Sequence, residues 1–168
     1  MQIRPACLED AQNLAALAIQ VWLHTYATEG IRDALSAYVL ATFTPEAFRR
    51  RMGEPSHGLL VAEENGHLVG YADVDFDAPR EDVPGVCTEL ATLYVQEHFA
   101  GRGIGTRLMA ACAEEARRRN GDPTFWLSVY HRNAKALAFY RKHGFTERGA
   151  FDFEFGGERH RNLVLARS

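Results

Sequence analysis

Apolar residues recur along the chain with two periods, and the switches between them lay out the expected elements. The first six residues, M-Q-I-R-P-A, alternate as a first strand. Leu14, Leu17, Val21 and Trp22 then share a helical stripe, behind Glu9 and Asp10, whose charge suits the positive end of a helix. A short helix is predicted after Gly30, around Ile31, Leu35, Tyr38 and Val39. Thr44-Pro45-Glu46 reads as an N-cap followed by proline at the first helical position, opening a third helix through Phe48. Gly58 to Glu63 and Leu68 to Phe76 flank Asn65-Gly66, a strong hairpin signal, and should pair antiparallel. A loop carrying Pro79, Pro84 and Gly85 leads to a strand from Cys87 to about Gln96. Beyond a glycine-rich turn, Ile104, Leu108, Met109 and Cys112 form one helix face, ending at Asn120-Gly121. Phe125 to Val129 reads as a strand and Asn133 to His143 as a helix stopped by Gly144. Phe145 to Phe155 and His160 to Ala166 flank Gly156-Gly157 as a terminal hairpin. Together these predict one α/β domain over residues 1–168, a central mixed, mostly antiparallel sheet flanked by helices and closed by a C-terminal β-hairpin.

Composition narrows the class. With 46% apolar and 24% charged residues in 168, the chain has a globular balance and can bury a core without disulfides or metals. No window approaches the roughly 18 consecutive apolar residues of a membrane span. The N-terminus has neither the basic start nor the apolar core of a signal peptide, so a cytoplasmic protein with no membrane partner is expected. Cys7, Cys87 and Cys112 are odd in number, far apart and set in apolar patterns, which reads as buried thiols. The histidines show no metal-ligand spacing, so no metal is expected. A net charge of −3 argues against nucleic acid as the main partner. Should the chain self-associate, a homodimer is the default.

Residues 99–107, F-A-G-R-G-I-G-T-R, put glycine at 101, 103 and 105 between a strand and a helix. Free N–H groups and the helix dipole converge at such a turn and suit anionic oxygens. The spacing is not GxGxxG, whose third glycine would fall at Thr106, and no Lys-Ser/Thr pair follows as in a P-loop. Upstream stands Glu89-Leu90-Ala91-Thr92-Leu93-Tyr94-Val95; downstream stands Asn133-Ala134-Lys135-Ala136-Leu137-Ala138-Phe139-Tyr140, ending at Gly144-Phe145. In that order, over about residues 87 to 146, the three motifs resemble the GNAT superfamily of N-acetyltransferases. One departure is Ala100, where the family usually carries Gln or Arg, so the cradle here would rest mainly on backbone amides.

That resemblance implies acetyl-CoA as acyl donor. It implies that amides from Gly101 through Arg102, Gly103, Ile104 and Gly105 to Thr106 hold the pyrophosphate. It implies that the Leu93 amide meets a developing oxyanion, that Val95, beside Tyr94, pairs with the pantetheine arm, and that Asn133 hydrogen-bonds the cofactor. Glu89 matches the family's general base, often acting through water, and Tyr140 matches the tyrosine that protonates the leaving thiolate. The chemistry asks for both. Deprotonating an amine of pKa ~10.4 costs roughly 4 to 5 kcal/mol at pH 7, burial can raise a glutamate, and a phenol at ~10 is not far above a thiol. The plainer alternatives are a salt-bridged strand-end glutamate and a packed helix tyrosine. Phe139 reads as core, Arg102 and Arg107 as reaching CoA phosphates, and Arg117-Arg118-Arg119 as a solvated helix end.

The expected reaction is direct transfer in a ternary complex to the primary amine of a small molecule, polyamine or amino-acid-like. T-Y-A-T-E-G-I followed by A-Y-V-L-x-x-F-T-P-E-x-F is loosely similar to bacterial polyamine acetyltransferases. Candidates for acceptor contacts are Trp22, His24, Tyr26 and Glu29 on the early helices, and Phe151, Phe153, Phe155 and His160 in the last hairpin. Asp73, Asp75 and Asp77 alternate to one strand face, where they could attract an ammonium or simply meet solvent. Acetylation of protein N-termini or lysines is an alternative, as is a non-catalytic acyl-CoA-binding sensor, against which Glu89 and Tyr140 speak. A nucleotide-dependent oxidoreductase is disfavoured for want of a dinucleotide fingerprint.

Overall fold

The structure, a computed structural model, describes residues 1–155 and 157–167. Gly156, expected in the turn of the last hairpin, lies outside the described residues. The strands are β1 (Gln2–Pro5), β2 (His57–Glu64), β3 (His67–Asp75), β4 (Glu89–Val95), β5 (Trp126–Tyr130), β6 (Phe145–Phe155) and β7 (Glu158–Arg167). They form a seven-stranded sheet in the order β1-β2-β3-β4-β5-β7-β6. The helices are α1 (Ala11–Tyr26), α2 (Asp33–Thr42), α3 (Pro45–Met52), α4 (Ile104–Asn120) and α5 (Ala134–Lys142). A mixed α/β fold with a mostly antiparallel sheet is therefore what the chain adopts.

Local chemistry explains the boundaries. Thr44 Oγ1 accepts from the Ala47 N–H at 3.1 Å with Pro45 next to it, so α3 starts where its caps are. The β2–β3 turn uses Asn65 at φ 53° and Gly66 at φ 78°, matching the right-handed twist of the hairpin it joins. Asn133 Oδ1 accepts from the Ala136 N–H at 3.0 Å and opens α5. The one helix displaced from expectation is the second: Ile31 is exposed and precedes α2, whose buried face is Leu35 and Val39.

Two layers cover the sheet. On one face, α4 and α5 bury Ile104, Leu108, Cys112, Leu137 and Tyr140 against Leu60, Val74, Leu127 and neighbours. On the other, α1 and α3 bury Leu14, Leu17, Ala18 and Phe48 against Val61 and Tyr71. Of the three cysteines expected to be buried, only Cys112 is; Cys7 stands before a short 3-10 turn and Cys87 in the loop ahead of β4, both exposed.

The sheet is discontinuous at its centre. Opposite β3 the register of β4 slips, Asp73 pairing with Thr92 and Val74 with Leu90, which leaves Ala91 as the extra residue of a bulge. β4 and β5 run parallel and are in register at Glu89 and Trp126 alone; past that pair β5 is matched with β7 and β4 with β3. The facing edges of β4 and β5 therefore splay apart, and the space between them is where the site lies.

Candidate active site

The splayed edges open into a cleft of about 1210 Å³ that runs from the start of α4 to the end of α1. At the α4 end, Gly101 and Gly103 have φ of +77° and +76°, a conformation that costs side chains with a Cβ, and Gly103 is the N-cap with no side-chain cap. The N–H groups of the first helical turn have no intrahelical acceptor and lie against the cleft. A Cβ on Gly101 or Gly103 would meet no atom within 4 Å, whereas one on Gly105 would lie 3.3 Å from Phe139 Cζ. The three glycines thus do two jobs: the first two bend the backbone and the third lets Phe139 pack. Nearby, His143 Nδ1 is 2.8 Å from the Phe139 carbonyl, which can only accept. In the neutral ring its Nε2 is therefore the acceptor for the Thr106 hydroxyl at 3.1 Å. The open amides and the positive helix end fit the diphosphate of a CoA molecule, and Ala100 adds no polar group beside them.

Along the cleft lie Leu93, Tyr94 and Val95 of β4 and Asn133 before α5. Because Asn133 Oδ1 caps the helix, the donor end of its amide is the part left for a ligand. Tyr140 also lines the cleft, though only 7% of its surface is accessible. Burial raises its phenol well above the ordinary tyrosine range, so it is protonated at neutral pH.

The far end is lined by rings. Tyr26, whose phenol burial pushes up to about 12, lies 5.5 Å from the Tyr130 ring, which lies 5.6 Å from His160. His24 and Glu29 line the same end, and His24 Nε2 is 3.6 Å from Glu97. Trp22 stands behind, 4.6 Å from Tyr26, as a buried support.

Several expected site residues lie off the cleft wall. Arg102 donates to Glu64 at 2.7 Å and lies beside the Phe99 ring, and Arg107 reaches the Met1 carbonyl at 3.3 Å, so neither guanidinium faces the cleft. Asp73, a candidate for attracting the acceptor ammonium or else for meeting solvent, does neither at the cleft: it is 3% exposed and bound by Arg51 and His57. Phe153 is exposed and meets Tyr38 edge-on at 6.5 Å; the side chain of Phe155 lies outside what is described. Glu89 also lies off the wall. It is partly buried, and desolvation together with Asp75 pushes its carboxyl up to about 7. It stands opposite Trp126, and Tyr130, four residues on, shares that face of β5, so Glu89 is on the sheet face that carries the ring-lined end.

Sequence reasoning missed Tyr130 and His143, which line the cleft; Phe139, expected in the core, packs against it and lines the cleft as well. The signal for Tyr130 was the alternation W-L-S-V-Y, which puts it on the face of Trp126. Among the described residues no three His, Cys, Asp or Glu side chains converge to hold a metal, and no helix is long and apolar enough to cross a membrane.

The acetyltransferase (GNAT) family matches residues 19–145. An L-methionine sulfoximine/L-methionine sulfone acetyltransferase of Salmonella typhimurium is 31% identical over 150 residues, 87% of this chain and 80% of that one. A spermidine N(1)-acetyltransferase of Thermoplasma acidophilum is 24% identical over 149 residues, 86% and 88% of the two chains. Among solved structures, an N-acetyltransferase from Thermoplasma acidophilum in complex with coenzyme A superposes with a TM-score of 0.76 at 20% identity, covering 99% of this chain and 98% of the other.

Proposed function

Because the chain belongs to the acetyltransferase (GNAT) family and is by that membership an acyltransferase, we propose that it moves the acetyl group of acetyl-CoA directly onto the primary amine of a small molecule, amino-acid-like or polyamine. The observation that carries this reading is the continuous cleft, with uncapped helix amides at one end, aromatic rings at the other and a protonated Tyr140 in its wall. The named acceptors of the Salmonella and Thermoplasma relatives, an amino-acid analogue and spermidine, support a small amine.

Bound acetyl-CoA supplies an activated thioester. The chain supplies the rest. Amides of the first α4 turn hold the diphosphate, and the free edge of β4, Leu93 and Val95, pairs with the extended arm and orients the acyl carbonyl. Tyr140 gives its proton to the departing sulfur. Glu89 takes the proton of the acceptor ammonium through water, since its carboxyl stands off the cleft wall. A carboxyl near 7 is better matched to that task than an ordinary one near 4.

The test begins with ligand-dependent stability. Acetyl-CoA at a hundred times its Kd should add about 2.7 kcal/mol. CoA release is then followed across amino acids, polyamines and N-terminal peptides. Stabilisation by both CoA forms, with turnover on a small amine and none on peptides, is the expected pattern. A folded protein that neither CoA form stabilises would overturn the reading. Stabilisation without turnover on any amine would make the chain a sensor.

A further inference from the structure

Three side chains stand in one row across three strands, on the face covered by α1 and α3. His57 of β2 is opposite Asp75 of β3, and Asp75 is opposite Glu89 of β4. Directly opposed residues of antiparallel strands hold their Cβ atoms about 4.5–5.5 Å apart, so the two carboxyls are immediate neighbours of like charge. The row is anchored at its far end. His57, with a side chain 11% exposed, has Nε2 at 3.5 Å from Asp75 and 3.3 Å from Glu54, and Nδ1 at 3.3 Å from Asp73, which Arg51 also binds. On the other flank, Arg80 in the β3–β4 loop donates to Asp82 at 2.7 Å and stacks 4.9 Å from the ring of Trp126, the residue opposite Glu89 on β5. The titratable and charged groups that face Glu89 are Asp75 and Asp73 of β3, His57 of β2 and Arg80 of the loop.

We propose that Asp75 and Arg80 are opposed positioning residues for Glu89: the Asp75 carboxylate, steadied by His57, favours a proton on Glu89, and the Arg80 guanidinium, steadied by Asp82 and Trp126, favours its release. This rests on the reading of Glu89 as the base. The balance matters because a base must accept a proton from the acceptor in one half of the cycle and shed it to water in the other. Desolvation and Asp75 raise the Glu89 carboxyl while Arg80 and His57 act against them, which is the opposition the geometry implies.

The test uses two readouts on the whole chain. One is the pH profile of kcat/KM; the other is a ¹³C NMR titration of the glutamate carboxyls, with the Glu89 resonance assigned by its loss in Glu89→Gln. Asp75→Asn is nearly isosteric and keeps the oxygen that accepts from the Asp77 N–H. It should move both the acidic limb and the Glu89 midpoint down, by on the order of one pH unit. Arg80→Gln should move both up, and Arg80→Lys should restore them. A Glu89 midpoint unchanged in Asp75→Asn and Arg80→Gln overturns the inference, whatever the kinetics. An acidic limb that survives Glu89→Gln, or stays still while the midpoint moves, overturns the base reading instead.

Discussion

Gly103 and Gly105 stand two residues apart in one motif, yet alanine should act on them in opposite directions. Gly103 has φ +76°, and an L residue in that conformation costs about 1–2 kcal/mol. The added Cβ would touch nothing, so no packing term offsets the strain. Gly105 is the second residue of α4, where alanine is favoured over glycine by up to about 0.8–1.0 kcal/mol, the value for a helix interior. Its Cβ would press on Phe139 at 3.3 Å, but that ring is half-buried on the cleft wall and can give by a few tenths of an ångström. The two variants should thus differ by about 2 kcal/mol, Gly103→Ala below the parent and Gly105→Ala at or above it. For a chain of this size that corresponds to a gap of about 4–8 °C in Tm. Urea and thermal unfolding followed by circular dichroism would measure it. A Gly103→Ala protein that melts at or above Gly105→Ala would refute the division of labour among the glycines.

Tyr140→Phe removes one hydroxyl from a buried ring, so folding and CoA affinity should persist while kcat falls by about 10²-fold; an unchanged kcat in single-turnover assays would remove Tyr140 from the chemistry. Arg4 grips Asp10 at 2.7 and 2.9 Å and holds its carboxyl at about 2, below the ordinary 3.8. A depressed carboxylate contributes stability that is complete above 3.8 and lost as pH falls through about 2, so the unfolding free energy of the parent, from urea titrations, should decline over that window by about 1–2 kcal/mol more than that of Arg4→Met.

Much of the fold was legible because its punctuation is local. Thr44-Pro45, Asn65-Gly66 and Asn133 declare caps and turns through their own side chains and dihedrals, and each does so in the structure. The cleft was legible in part for the same reason, since glycines that follow a strand and open a helix imply open amides. What stayed hidden depends on pairing between distant segments. Nothing in L-A-T marks Ala91 as the bulged residue, and no local pattern says that β7 comes between β5 and β6. Asp73 reads as a surface residue by alternation, but α3 lays Arg51 across it from 22 positions away. Arg102 reads as a phosphate ligand until the β2–β3 turn brings Glu64 within 2.7 Å.

The chain has two tryptophans, and the fold puts them beside different chemistry. Trp22 stacks on Tyr26 at the ring-lined end of the cleft, while Trp126 is wedged beneath Arg80 and hydrogen-bonds the Ala78 carbonyl at 2.7 Å, next to Glu89. The molecule therefore carries its own optical reporters. Emission from Trp22 should respond to an amine entering the ring-lined end, and that from Trp126 to any change in its contact with Arg80 beside Glu89. With each replaced in turn by phenylalanine, stopped-flow fluorescence can order those two events in time without any attached dye.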